Sequence, residues 1–80
     1  MTAETDFQKR ILALLAGGGR DEWQLAGRLF ADFERNVTKR GAYISSVSRA
    51  LSSLIEKRLV AQGAFCSRGR YATYYRTDLL

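Results

Sequence analysis

The stretch from Val47 to Val60 constrains this chain most, because two periodicities meet in it. Val47, Ala50, Leu51 and Leu54 recur at helical spacing, and Tyr43 lies one turn earlier on the same stripe. The opposite side carries Ser45, Ser48, Arg49, Ser52 and Glu56. At Leu59-Val60 the helical period stops and strand formers begin. The fold must therefore bury one side of an amphipathic helix, leave its small, polar side open, and turn directly into a strand.

The residues upstream supply the cover. Thr5-Asp6-Phe7-Gln8 has the form of a capping box, with Thr5 as N-cap and Gln8 reaching back. A first helix is expected to run to about Ala16, burying Phe7, Ile11, Leu14 and Leu15, with Met1 to Glu4 a frayed end. Leu12 falls off that stripe and is available for a subunit contact. Gly17-Gly18-Gly19 ends the helix, since glycine takes left-handed conformations cheaply. No strand precedes these glycines and no Gly-Lys-Ser/Thr follows, which argues against a phosphate loop. Asp21 and Glu22 suit the first turn of a second helix, whose dipole favours negative charge there. Trp23, Ala26, Leu29, Phe30 and Phe33 recur at helical spacing and are expected to pack on the first helix. Gly27 inside this helix suggests close packing, and Arg28 lies on its exposed side, toward solvent or a phosphate.

Glu34 to Gly41 forms a long basic connection carrying Arg35, Lys39 and Arg40. The third helix starts either after a Thr38 cap, with Gly41 in its first turn, or near Ser45; the Tyr43 stripe favours the earlier start. Beyond it, Leu59 to Phe65 and Tyr71 to Arg76 read as strands around the loop Cys66-Ser67-Arg68-Gly69-Arg70. On the second strand Tyr71, Thr73 and Tyr75 share one face, and Ala72, Tyr74 and Arg76 the other. Tyr71, Tyr74 and Tyr75 are read as strand packing, the alternative being a base or backbone contact. Leu79 and Leu80 either return to the core or meet a partner.

Composition narrows the function. Eighty residues, 46% of them apolar, fit one folded domain spanning 1–80, too small for a deep substrate cleft. The longest apolar run, Ile11 to Ala16, is far short of the roughly 20 residues that span a bilayer. The N-terminus carries no signal-peptide pattern, so a cytoplasmic location is expected. A lone Cys66 suits a reducing interior; its place beside arginines raises a redox-switch reading, against the commoner passive role. With no histidine, no nucleophile–base motif and no zinc-type cluster, neither enzyme activity nor any cofactor or metal is expected.

Charge is divided unevenly. Residues 1–34 hold four basic and six acidic residues, a net −2; residues 35–80 hold nine basic and two acidic, a net +7. Ten of the thirteen cations are arginine, whose planar fork binds phosphates and base edges in a bidentate way. A solubilising surface is the ordinary reading of a charge cluster. So strong an asymmetry in so short a chain favours a polyanion partner instead.

The order helix, helix, helix, basic-tipped hairpin resembles the winged helix-turn-helix family of DNA-binding proteins over nearly the whole chain. Ser46-Val47-Ser48-Arg49-Ala50-Leu51, followed by Leu54-Ile55-Glu56-Lys57-Arg58-Leu59-Val60, is similar to the recognition-helix-to-wing junction of MarR-type regulators. The chain departs from that pattern at Arg58, where the family usually has glycine, and this bears on the shape of the helix-to-strand turn. It also lacks the long flanking helices with which those regulators dimerise and enclose a ligand, so no small-molecule effector is expected. The resemblance implies a mainly α fold with a small β-hairpin, three helices plus a two-stranded wing.

It also implies double-stranded DNA as partner, with the third helix in the major groove, about 12 Å wide, and the 66–70 wing at the minor groove. Arg49 is the candidate for a bidentate contact to guanine, its alternative being a surface ion pair with Glu56, which at i+7 is poorly placed. Ser45, Ser46 and Ser52 let bases or phosphates approach, and Tyr43 is grouped with them. Lys39 and Arg40 are expected at phosphate or base edges, Arg35 at phosphate, and Arg68 or Arg70 in a narrow A·T-rich minor groove. One small module reads few base pairs, so a homodimer on a palindromic or repeated site is expected, in a prokaryotic, plasmid or viral regulator. The competing expectation is a protein–protein or RNA-binding module that uses the acidic N-terminal half, Leu12 and Leu79-Leu80.

Overall fold

The computed structural model describes residues 5–65 and 72–79. Three helices are followed by a small antiparallel hairpin: α1 (Asp6–Leu15), α2 (Glu22–Leu29), α3 (Arg40–Glu56), β1 (Val60–Phe65) and β2 (Ala72–Arg76). Short 3-10 turns stand at Val37–Lys39, before α3, and at Thr77–Leu79, after β2. The fold is mainly α with a two-stranded wing.

The expected capping box opens α1: the Gln8 amide donates to Thr5 Oγ1 and the Thr5 amide to Gln8 Oε1, both at 3.2 Å. Ile11 and Leu15 are fully buried, with Phe7 and Leu14 at the edge of the core. Leu12, off that stripe, is half-buried and also packs against the core. The end of the hairpin covers that flank of α1, and Arg76 Nη1 donates to the Leu12 carbonyl at 3.4 Å.

The triple glycine has two separate tasks. The chain reverses at Gly18, with φ +131°, beyond a C-cap at Ala16 that is still helical. Gly19 lies so close to the hairpin that a Cβ there would stand 2.2 Å from Tyr75 Cε1; a Cβ at Gly63 would stand 2.6 Å from Cε2 of the same ring. Tyr75 thus packs against two bare backbones. Next, Arg20 and Tyr74 exchange backbone hydrogen bonds of 3.1 and 2.8 Å, adding a one-residue bridge to the outer edge of β2.

Asp21 is the N-cap of α2 rather than a first-turn residue. It forms a second capping box with Gln24, accepting from the Gln24 amide at 2.7 Å. The helix buries Leu25, Ala26 and Leu29, and it ends earlier than the aromatic spacing suggests. Phe30 is extended (φ −119°, ψ 113°), and a tight turn at 31–35 returns Phe33 to the core, where it is 0% exposed. A three-residue spacing serves a tight turn as well as a helix, so the period alone does not separate them. Gly27 is exposed, and an added Cβ would make only ordinary contact with Phe33 at 3.7 Å, so close packing does not explain it.

Asn36, not Thr38, caps the turn into α3, its side chain accepting from the Lys39 amide at 3.2 Å. The helix then starts at Arg40, with Gly41 in its first turn. Val47, Ala50, Leu51 and Leu54 are all buried, and burial of a side chain such as Leu or Val contributes about 1.5–3 kcal/mol. The end of α3 is a Schellman motif. The Arg58 amide donates to the Ile55 carbonyl at 2.9 Å and the Leu59 amide to the Leu54 carbonyl at 3.0 Å. Arg58 takes the left-handed conformation (φ 62°) that this motif requires. Strand register pairs Val60 with Arg76 and Gln62 with Tyr74, then shifts before Phe65 meets Ala72, leaving Gly63 and Ala64 opposite Thr73 in a bulge. Ala72 and Tyr74 face the core, as the alternation predicts.

Candidate nucleic-acid interface

The outer face of α3 follows from its inner one. With Val47, Ala50, Leu51 and Leu54 buried, Gly41, Ala42, Ser45, Ser46, Arg49, Ser52 and Glu56 are exposed. Ser45, Ser48, Arg49, Ser52, Ser53 and Glu56 line a shallow concavity along the helix. Arg49 makes neither a hydrogen bond nor an ion pair with any described residue, so the Glu56 pairing is not formed. Ser46 donates its hydroxyl hydrogen to the Ala42 carbonyl at 3.1 Å and keeps its oxygen as an acceptor.

The cations before Arg49 divide into two kinds. Arg35 and Lys39 are exposed. Arg40 is held within the protein. Its Nε donates to the Phe33 carbonyl at 2.8 Å, Nη2 donates to the Glu34 carbonyl, and Nη2 stands 3.7 Å from the Glu34 carboxylate. The guanidinium also lies 5.5 Å above the Trp23 ring and 5.7 Å above Phe33, with the side chain 25% exposed. Arg40 therefore fastens the start of α3 to the preceding turn.

Tyr43 is likewise engaged. Its ring stacks on Phe30 at 4.1 Å, and its hydroxyl meets both Asp32 carboxylate oxygens at 2.8 and 2.9 Å. Asp32 also accepts from Asn36 Nδ2 at 3.3 Å, and Asn36 caps the turn at Val37–Lys39. The Tyr43 hydroxyl, helped by Asn36 and by the charge of Lys39, holds the Asp32 carboxyl below the usual carboxylate range. The same bond raises the Tyr43 hydroxyl above its ordinary value. A hydrogen-bonded chain thus runs from the aromatic core to the corner that leads into α3.

Among the residues singled out from the sequence, Ser45, Ser46, Arg49 and Ser52 share one surface, with Arg35 and Lys39 in the connection that leads to it. Arg40 and Tyr43, both half-buried, are engaged with the turn after α2 and with Phe30. Arg68 and Arg70, together with Cys66, Tyr71 and Leu80, lie outside the described residues, as does the Leu79 side chain. Tyr74 is buried and donates to Glu22 Oε1 at 2.9 Å. The Lys57-Arg58 end is a junction: Lys57 Nζ reaches Gln8 Oε1 at 3.1 Å, and Thr77 Oγ1 donates to the Arg58 carbonyl at 2.8 Å.

Three residues of this region escaped sequence reasoning. Asp32 and Asn36 stand four apart, and an asparagine just before a helical turn is a capping signal that was available. Val37, 69% exposed and the one large exposed hydrophobic among the described residues, leaves no pattern in the sequence. Among the described residues no three His, Cys, Asp or Glu side chains cluster closely enough to hold a metal ion, and no helix is long and apolar enough to cross a membrane. No protein-family model, curated protein or solved structure matches the chain.

Proposed function

We propose that this chain is a sequence-specific double-stranded DNA-binding protein of the winged helix-turn-helix kind, a small transcriptional regulator related to the MarR type. The observation that carries this reading is the outer face of α3. One arginine without a partner among the described residues stands there among small hydroxyl side chains, with the exposed cations Arg35 and Lys39 in the connection before it. A face of small side chains is narrow enough for a major groove, and a guanidinium on it can donate to guanine O6 and N7. Arg35 and Lys39 supply the phosphate contacts that set register. In this reading Arg40 and Tyr43 hold the helix start in place instead of touching DNA, and the 66–70 wing brings Arg68 or Arg70 to the adjacent minor groove. The protein acts as a homodimer, without catalytic activity, cofactor or small-molecule effector, in the cytoplasm of a prokaryotic cell or in a plasmid or viral setting.

Selection of bound duplexes from a random library tests this directly. The expected result is an enriched motif, repeated or palindromic, that contains guanine. Arg49→Ala should lose about 1–3 kcal/mol on the enriched site and relax the preference at one position. Failure to enrich any duplex at low salt would falsify the reading.

A further inference from the structure

We infer that Val37 is a base-reading residue that packs on the 5-methyl group of a thymine, and this rests on the DNA-binding reading above. Val37 stands on the turn that runs straight into α3, and Lys39, between them, keeps a right-handed helical conformation. Gly41, Ser45 and Arg49 are exposed at four-residue intervals on α3, each step advancing about 40° around the axis, and Val37 is exposed on the turn that leads into the helix, so Val37 and Arg49 stand at opposite edges of the exposed side. A Cβ added at Gly41 would meet nothing within 4 Å among the described residues, so that part of the exposed side is open there.

A single exposed valine is ordinary on a protein surface. Its mounting distinguishes this one. Asn36 caps the turn, Asp32 holds Asn36, Tyr43 holds Asp32, and Phe30 stacks on Tyr43. The isopropyl group is thus presented by a hydrogen-bonded corner anchored in the core, the kind of rigid mounting that positions a contact. Arg35 and Lys39 flank it, so a phosphate backbone drawn to these cations brings base edges toward the valine. In the major groove the apolar feature on offer is the thymine methyl. Arg40 to Arg49 spans roughly 14 Å of α3 at about 1.5 Å per residue, and Val37 stands beyond that start on the preceding 3-10 turn. The thymine should therefore sit several base pairs from the guanine, toward the end of the half-site.

The test uses the full-length protein and the duplex selected from the random library. Each thymine is replaced in turn by deoxyuridine, which removes the methyl and leaves the base pairing intact. One position per half-site is expected to cost the wild-type protein about fourfold in affinity, the worth of one buried methyl or methylene group. Val37→Ala should bind the thymine duplex about fourfold more weakly than wild type and show no further loss on deoxyuridine at that position. Thermal melting of the variant should match wild type, since the side chain is exposed. Deoxyuridine that is neutral at every position, or a Val37→Ala protein that keeps the same penalty, overturns the inference while the DNA-binding reading stands. A variant that keeps the penalty and sediments as a smaller species would make Val37 a subunit contact and overturns it equally. If no duplex is selected at all, both fall.

Discussion

Arg58 is a β-carbon-bearing residue at a left-handed position (φ 62°), and its side chain makes no hydrogen bond or ion pair with a described residue. A non-glycine residue there costs about 1–2 kcal/mol, against roughly 0.5–1 kcal/mol of extra chain entropy that glycine loses on folding. Arg58→Gly should therefore stabilise the protein by up to about 1 kcal/mol, a rise of several degrees in Tm read by thermal melting. Arg58→Ala should leave Tm nearly unchanged, and a fall in Tm for the glycine variant would show that the arginine side chain supports the junction. Gly19 and Gly63 are the reverse case. There the side chain is excluded by a neighbour, the Tyr75 ring, and not by the backbone angle.

Side chains far apart in sequence hold the elements together. Lys57 joins the end of α3 to α1, Arg40 joins its start to the turn after α2, and Tyr74 joins β2 to α2 through Glu22. Burial, reinforced by the Glu22 bond, pushes the Tyr74 hydroxyl far above its ordinary value near 10. The sign of the pH effect follows. Below pH 10 both folded and unfolded states keep this proton, whereas above it the unfolded state releases the proton first and stability falls as pH rises. Urea midpoints between pH 8 and 11 should show this alkaline decline. In Tyr74→Phe the decline should be shallower but not absent, because Tyr43 is shifted in the same direction. The variant should also be less stable at neutral pH by about 0.5–1.5 kcal/mol, the net worth of one hydrogen bond.

Over the whole molecule, structure sorts the positive charge further than counting does. Of the four cations between Arg35 and Arg49, Arg40 is tied to Glu34 and the aromatic cluster, leaving Arg35, Lys39 and Arg49 exposed, Lys39 near enough to Asp32 for its charge to act on that carboxylate. If Arg35 and Lys39 neutralise phosphates, the affinity for the selected duplex should fall steeply with salt. The double variant Arg35→Ala/Lys39→Ala should reduce the slope of log K against log salt by about two per bound protomer, with the base preference kept. An unchanged slope would place the phosphate contacts elsewhere.

What was legible in the sequence is what local spacing encodes. The α1 capping box, the buried stripe of α3, the switch from helical period to strand at Val60 and the alternation along β2 each depend on residues within one or two turns of each other. Tertiary structure decided the rest, because it depends on groups that meet only after folding. Phe30 and Phe33 leave α2 to close an aromatic cluster with Trp23 and Tyr43, Arg76 of the hairpin reaches the Leu12 carbonyl, and Arg20 finds a backbone partner at Tyr74. The candidate site divides along the same line. The serine-and-arginine face of α3 follows from the helical period, since burying one side of a helix exposes the other. That Arg40 is engaged, Arg49 lacks a partner among the described residues and Val37 stands exposed on a braced corner depends on where Phe33, Glu34 and Asp32 come to rest, which no local spacing specifies.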